Sequence, residues 1–407
     1  MPKSSHWTLL VVMTFLALGC SRKEQGSGGD NAKGASLSAS TIKIGQTMPY
    51  SGPASAYGTI GKLQTAYFKK INEAGGINGK KIEFLTVDDG YSPPKAVEQV
   101  RKLVEQDNAL AIFQPLGTPS NAAIRKYLNE KKIPQLFAAT GASQWNDPAN
   151  YPYTIGFNIN YVDEGRTYGK YIAEKQPTAK IAILYQNDDY GKDYLKGLKD
   201  GLGEKAKLIV AEATYEVSDP TVDSQIATLK GSGADTFVNV TTPKFAAQAI
   251  RRAYDIGWKP TEYLNNVSAS VGSVLTPAGL DKSVGLVTIA YYKDPTDKQW
   301  DDDAGMKEWR EFMTKEYPEG GLSDGTNVYA YIAAQTLVQV LKQCGDQMTP
   351  ENVMKQAANL KDFAPALLLP GIKINTGPKD YVLFDQLQLA RFDGKSWVPF
   401  GQLMSVM

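Results

Sequence analysis

Segments with strand character alternate with segments of helical character along most of the chain, in two successive series. The first series opens with residues 41–45, and the second begins near residue 160, with strand-like runs at 180–184 and 236–240. Alternation of this kind is typical of a mostly parallel sheet with helices on both faces. The sequence therefore predicts an α/β chain with two doubly wound lobes that face each other across a cleft.

The stretch from residue 109 to residue 121 predicts a place for an anionic ligand. Residues 109–113 are apolar without alternation, as in a parallel strand that is covered on both faces. Thr118 and Pro119 then predict a helix start, with the threonine as N-cap and the proline at the first helical position. A helix that begins at the carboxyl edge of a sheet presents free N–H groups to an anion there, and Gly117 would let a ligand approach the backbone. A plain strand-to-helix turn without a ligand is the alternative.

The first 40 residues predict a targeting segment followed by a tether. Residues 1–19 have a basic start and an apolar run that is too short to span a bilayer, as in a signal peptide. Residues 16–20 resemble a bacterial lipobox, in which Cys20 is diacylated after cleavage. An ordinary secretory signal with an incidental cysteine is the alternative. Residues 20–40 are rich in Gly, Ser, Lys and Asn, which predicts a flexible tether.

Composition narrows the functional classes further. Cleavage after residue 19 would remove the only histidine, His6, and would leave 43 acidic and 43 basic residues. A chain without histidine cannot form Ser-His or Cys-His nucleophile pairs or histidine-ligated metal sites, and a neutral chain lacks the basic excess typical of nucleic-acid binding. Cys344 would remain without a disulfide partner. The acidic run 301–303 predicts a solvated helix start rather than a metal site. We therefore expect no enzyme activity, cofactor, metal or nucleic-acid partner.

Several short motifs follow one another in a characteristic order and spacing. They are Ser51-Gly52-Pro53 with Tyr57-Gly58, the segment 74–80, Asp88-Asp89 before Ser92-Pro93, and Asp189-Tyr190-Gly191. With these motifs, residues 41–400 resemble the type I periplasmic solute-binding proteins of branched-chain amino-acid ABC importers, the Leu/Ile/Val-binding group. The resemblance implies two α/β lobes joined by three crossing segments, here near residues 156–160, 289–292 and 372–380. It assigns residues 41–157 and 293–372 to lobe 1, and residues 158–292 and 373–407 to lobe 2.

The resemblance also implies a ligand site at the place that the strand and helix pattern indicates. In this family, the first lobe holds the α-carboxylate of the ligand. That role falls on Leu116, Gly117 and Thr118 at the helix start, and on Ala138, Ala139 and Thr140 at the end of the next predicted strand. Tyr57 and Tyr190 also fall on contact positions of the family.

Two positions depart from the family pattern and leave the ligand class open. Pro243 stands where the family has a tyrosine of the second lobe, and Val267-Ser268 stands where it has an acidic partner for the ligand ammonium. Aromatic residues crowd the expected cleft: Tyr50, Tyr57, Phe113, Trp145, Tyr190 and Phe245. A branched-chain or other apolar amino acid, with Asp188 or Asp189 serving the ammonium, and an aromatic acid are both consistent with this pattern.

The resemblance implies a transport role outside the cytoplasm. We expect a monomeric receptor in the periplasm, attached to the membrane only through its lipid anchor, that delivers a small carboxylate to an ABC permease and ATPase complex. A ligand sensor or regulator with the same fold is the alternative.

Overall fold

The computed structural model describes residues 41–406, so Cys20 and the predicted signal peptide and tether lie outside the described residues. In this range the first sheet has five strands, all parallel, in the order β2-β1-β3-β4-β5. Its strands are β1 (Thr41–Met48), β2 (Lys81–Asp88), β3 (Ala111–Phe113), β4 (Gln135–Ala138) and β5 (Thr154–Gly156). All three residues of β3 are fully buried, as expected for a strand that is covered on both faces.

Seven further strands of the described chain form the second sheet, in the order β12-β11-β10-β9-β8-β6-β7. They are β6 (Ile181–Gln186), β7 (Ile209–Tyr215), β8 (Thr236–Val240), β9 (Thr261–Leu264), β10 (Val287–Ala290), β11 (Gln386–Phe392) and β12 (Trp397–Ser405). Strands β6 to β10 pair in parallel, and the C-terminal hairpin β11-β12 adds two antiparallel strands at one edge. The predicted α/β class with two mostly parallel sheets is confirmed.

Helices connect the strands and cover both sheets. They are α1 (Thr59–Glu73), α2 (Pro93–Glu105), α3 (Thr118–Lys131), α4 (Tyr161–Lys175), α5 (Asp189–Leu202), α6 (Asp223–Gly231), α7 (Pro243–Asp255), α8 (Thr276–Ala278), α9 (Ala304–Glu316), α10 (Gly325–Gln343) and α11 (Pro350–Ala357). Helix α10 follows the second series in sequence but packs against α1 of the first, where the rings of Tyr67 and Tyr331 lie 5.0 Å apart. The chain therefore returns to the first sheet before it ends in the second.

The start of α3 differs from the prediction by one residue. Gly117, not Thr118, is the N-cap, with a φ of +94°, and Thr118 is the first helical residue. A Cβ at position 117 would lie 2.5 Å from Cε2 of Tyr91, so only glycine fits this turn without a shift. The hydroxyl of Thr118 makes no capping bond, and its oxygen lies 2.6 Å from the hydroxyl oxygen of Thr140.

The acidic run 301–303 is a solvated helix start, as predicted. Asp303 caps α9 by accepting a hydrogen bond from the Met306 N–H, and Asp301 pairs with Arg310. Residues 41–406 contain no group of acidic, Cys or His side chains arranged to hold a metal ion. No helix in the same range is both long and apolar enough to cross a bilayer.

Candidate functional site

A cavity lies where the carboxyl ends of strands from the two sheets meet. Open α/β sheets bind ligands at this edge. The cavity is lined by Tyr57, Ile60, Tyr91, Leu116, Gly117, Thr118, Ala139, Asn158, Tyr161, Tyr190, Thr242, Asn266, Val267, Ser270, Tyr291, Tyr292, Thr326 and Tyr329.

One wall of the cavity is the connection from β3 to α3. Leu116, Gly117 and Thr118 line it at the N-terminus of a 14-residue helix, whose first N–H groups have no partners within the helix. The side-chain amide of Asn121 fixes the turn by donating to the carbonyl oxygens of Pro115 at 2.7 Å and Gly117 at 2.9 Å. This wall offers hydrogen-bond donors and the positive end of a helix dipole, which together suit a carboxylate.

Tyrosines form much of the remaining wall. Among the described residues, seven tyrosines line the cavity: Tyr57, Tyr91, Tyr161, Tyr190, Tyr291, Tyr292 and Tyr329. Burial raises the pKa of each phenol above its usual value, so all seven are neutral at physiological pH. Such a wall combines apolar ring surface with hydroxyl groups that can donate or accept hydrogen bonds.

Several of these tyrosine hydroxyls are hydrogen-bonded to neighbouring groups. The Tyr329 hydroxyl donates to Asn158 Oδ1 at 2.9 Å, and the Asn265 side-chain amide donates to the Tyr190 hydroxyl at 2.8 Å. The buried hydroxyl of Tyr291 has no hydrogen-bond partner within the described chain.

No charged side chain lines the cavity in the described part of the chain. Two carboxylates lie one layer further out, Glu164, which is buried, and Asp188, which is half-buried. Glu164 accepts hydrogen bonds from Asn266 N–H and the Tyr168 hydroxyl, both at 2.7 Å, and burial raises its pKa to about 7. Asp188 caps α5, and burial raises its pKa to about 6. Neither carboxylate belongs to the lining, so the cavity surface itself is neutral.

Hydrogen bonds join the two sides of the cleft around this cavity. The Tyr57 hydroxyl donates to the Val267 carbonyl oxygen at 3.0 Å. Near α5, Asp193 accepts from the N–H and the hydroxyl of Ser143, at 2.6 and 3.1 Å. At the start of α10, Asp324 accepts from the Ser270 hydroxyl at 2.7 Å. The two sides therefore contact each other directly at three separate places.

Residues 41–396 match the family model of the periplasmic binding proteins. The chain belongs to the periplasmic binding protein family. This is a family of binding proteins rather than enzymes.

Known relatives of this periplasmic binding protein are distant in sequence and close in fold. Leu/Ile/Val-binding protein homolog 7 of Brucella suis is 24% identical over 322 residues, which cover 76% of this chain and 79% of the relative. The structure of a branched-chain amino-acid ABC transporter protein from Thermus thermophilus with bound valine has a TM-score of 0.80 at 17% identity, covering 90% of this chain and 96% of the other. A solute-binding protein of Rhodopseudomonas palustris in complex with benzoate has a TM-score of 0.75 at 20% identity, with the same coverage.

The structure brings most of the predicted site residues of this binding protein to the cavity. Those that line it are Tyr57, Leu116, Gly117, Thr118, Ala139, Tyr190 and Val267. Ala138 and Thr140 are buried behind the lining, and the Thr140 hydroxyl lies 2.6 Å from that of Thr118. Phe245 lies inside α7, where its ring packs against Tyr215 at 4.5 Å in the core of the second sheet. Thr242, directly before α7, lines the cavity instead, because the start of the helix and not its body faces the cleft.

Five of the lining tyrosines were not predicted as site residues. Tyr91 follows the end of β2, and Tyr161, Tyr291 and Tyr292 lie beside or within the predicted crossing segments. Their positions at strand ends and crossings were a signal that could have indicated them. Tyr329 lies inside α10 and had no such signal, because only the packing of α10 against α1 brings it to the cavity.

Proposed function

We propose that this protein is a solute-binding lipoprotein of an ABC importer, which traps a small carboxylate between two lobes outside the cytoplasm. The cavity carries the proposal, since it joins the N-terminus of α3 on one side to a neutral tyrosine-rich wall on the other. A carboxylate would bind the helix N–H groups and the Thr118 hydroxyl, and the apolar part of the ligand would pack on the tyrosine rings. The relatives whose names or structures mention Leu/Ile/Val, valine and benzoate support this class of ligand.

We assign residues 41–157 and 293–372 to lobe 1, and residues 158–292 and 373–407 to lobe 2. Cavity residues come from both assigned lobes, for example Thr118 from lobe 1 and Tyr190 from lobe 2. A ligand that contacts both lobes favours the closed arrangement over the open one, because only the closed arrangement makes all its contacts. The permease would then recognise the closed form.

For the ligand class, the neutral lining favours an aromatic acid. An amino acid would bring an ammonium group into the cavity, and an unpaired buried charge costs several kcal/mol. Val267 and Ser268 stand where the resemblance places the acidic partner of the family, and Val267 lines the cavity without offering a charge. An apolar amino acid is the second candidate, supported by the Leu/Ile/Val-binding relative.

A titration with benzoate and with valine tests the proposal. We expect benzoate to bind and to raise the melting temperature of the protein, with little effect from valine. Strong binding of valine without binding of benzoate would reverse the order of the two candidates. Chemical conversion of a bound compound would contradict the binding role itself.

The anchor is a separate part of the proposal. Cys20 follows the lipobox-like segment, and two acyl chains are enough for stable attachment to a membrane. We expect the wild-type protein to fractionate with membranes and the Cys20→Ala variant to lose this attachment. A variant that is processed and located like the wild type would contradict the lipoprotein assignment.

A further inference from the structure

Thr140 lies directly behind Thr118 in the wall of the cavity, and its hydroxyl has four neighbours, one of which is the Tyr161 hydroxyl. The indole Nε1–H of Trp145 and the backbone N–H of Ala142 both donate to Thr140 Oγ1, each at 3.3 Å. The Thr118 Oγ1 lies 2.6 Å away. Thr140 and Trp145 are only 1% and 3% exposed, so these bonds are shielded from water.

Counting the donors and lone pairs around Thr140 indicates which of the two hydroxyls donates the hydrogen bond between them. A threonine hydroxyl has two acceptor lone pairs and one hydrogen. The indole and backbone donors occupy both lone pairs of Thr140, so its hydrogen is left to donate to a neighbouring hydroxyl, and Thr118 Oγ1 lies at hydrogen-bonding distance, 2.6 Å. Thr118 is then the acceptor in the 2.6 Å bond, and its own hydrogen is free to point into the cavity that Thr118 lines.

We propose that Thr140 and Trp145 are positioning residues, which act through Thr118 and turn its hydroxyl into a fixed hydrogen-bond donor toward the ligand. This inference rests on the proposed carboxylate site and deepens it. A fixed donor favours a ligand group that only accepts hydrogen bonds, such as an ionised carboxylate, over a group that also donates. Because this hydrogen is already oriented in the free protein, ligand binding does not cost the entropy of ordering it.

The position of Trp145 is itself fixed by α3. Arg125 of α3 donates to the Gln144 carbonyl oxygen at 2.7 Å, and its guanidinium lies 5.3 Å from the centre of the Trp145 ring. The helix that supplies Thr118 therefore also holds the turn that supplies the indole donor. Helix and turn together hold the two ends of the chain Trp145–Thr140–Thr118 in place.

A double-mutant cycle measured by titration calorimetry with benzoate and with valine tests the proposal. For the probe that binds, we expect Thr118→Val to weaken affinity about 10- to 100-fold and Thr140→Val about 3- to 10-fold. In the Thr118→Val background, Thr140→Val should have no further effect, because its role requires the Thr118 hydroxyl. Losses that multiply in the double variant would show that Thr140 contacts the ligand itself and would overturn the proposal.

Conservative variants separate positioning from a packing effect. Thr140→Ser keeps the hydroxyl and should bind like the wild type, whereas a loss equal to that of Thr140→Val would contradict the proposal. Trp145→Phe removes one donor and should weaken binding in the wild type but not in Thr118→Val.

The Tyr161 hydroxyl is the other hydroxyl beside Thr140. In Tyr161→Phe, the coupling between Thr118 and Thr140 should persist, and its disappearance would show that the hydrogen goes to Tyr161 instead.

A ligand-free measurement keeps this inference separate from the proposed function. In protein with ¹⁵N-labelled tryptophan, Thr140→Val should shift the indole N–H resonance of Trp145 and speed its exchange with solvent, and Thr140→Ser should restore both. An indole resonance that is unchanged in Thr140→Val would refute the chain of hydrogen bonds. Failure of both benzoate and valine to bind the wild-type protein would instead refute the proposed ligand classes.

Discussion

At the scale of single residues, the Thr118 hydroxyl is the side-chain donor at the proposed carboxylate site. Thr118→Val keeps the volume of the side chain and removes the donor. A hydrogen bond to a charged group contributes about 1.5–3 kcal/mol, so ligand binding should weaken by that amount in titration calorimetry. Thr314→Val, at an exposed position of α9, is the control and should bind like the wild type. Unchanged affinity in Thr118→Val would place the carboxylate elsewhere.

The raised pKa of Glu164 predicts how the stability of the protein depends on pH. Its pKa is raised to about 7 by burial, from an ordinary value of 4.5, so the folded state binds a proton that the unfolded state releases between these values. The free energy of unfolding should therefore fall as pH rises from about 4.5 to about 7, and level off above. Glu164→Gln should reduce this slope by removing on the order of 1–3 kcal/mol of pH-dependent stability, as measured by urea unfolding at a series of pH values.

A control variant and a second buried carboxylate check the cause of that slope. Glu130→Gln changes an exposed carboxylate on α3 and should leave the slope as it is. Glu262, which is buried and has a pKa also raised to about 7, should contribute a further part of it. If Glu164→Gln has the same slope as the wild type, Glu164 is ionised in the folded protein.

The residue scale also shows what the sequence could and could not predict about the site. Gly117, Thr118 and Ala139 were predicted because a strand end and a helix start are local patterns. Tyr329 could not be predicted in this way, since its place at the cavity depends on how α10 packs against α1. Phe245 was expected near the cleft from its aromatic character, but helix geometry turns its ring into the core of the second sheet.

At the scale of secondary structure elements, the turn from β3 to α3 depends on a glycine. Gly117→Ala would place a side chain at φ +94° and its Cβ 2.5 Å from the ring of Tyr91, which lines the cavity. We expect a loss of about 1–3 kcal/mol in the free energy of unfolding, since a non-glycine residue is strained there, together with weaker ligand binding. Urea unfolding and calorimetry measure the two effects.

The matched control is a glycine that has room for a side chain. Gly231 ends α6, is exposed, and has no atom within 4 Å of an added Cβ. Gly231→Ala should leave stability unchanged or raise it by about 0.5 kcal/mol, because alanine has the higher helix propensity. If the two variants unfold alike, the strain assigned to position 117 is absent.

Elements with a clear periodicity of apolar residues could be predicted from the sequence, and irregular elements could not. The alternation of strands and helices predicted both sheets because buried strands and amphipathic helices have distinct patterns of apolar residues. The strand predicted at 109–113 begins at Ala111, and boundaries of this kind depend on pairing with neighbouring strands. The π-helical turn Val271–Leu275, which follows Ser270 of the cavity wall, has no periodic signal of its own.

At the scale of the whole molecule, hydrogen bonds between the two proposed lobes link ligand affinity to closure. The contact of Ser143 with Asp193 joins the turn after β4 to α5, outside the cavity lining. A bond of this kind exists only when the two sides meet, so it stabilises the closed arrangement and leaves the open one unaffected. The affinity for ligand includes the free energy of closure, and every such bond therefore contributes to it.

Asp193→Ala tests this link without altering the cavity. We expect ligand affinity to fall about 3- to 10-fold, since two hydrogen bonds to a partly exposed carboxylate contribute about 1 kcal/mol. The loss should appear mainly as faster dissociation in stopped-flow measurements, because the bonds hold the closed complex together.

Asp200→Ala is the control, because Asp200 lies on the same helix and pairs with Lys196 and Arg166, which both belong to the proposed lobe 2. It should bind and release ligand like the wild type. If Asp193→Ala lowers the stability of the ligand-free protein and leaves the dissociation rate unchanged, the contact is part of the resting fold rather than of closure.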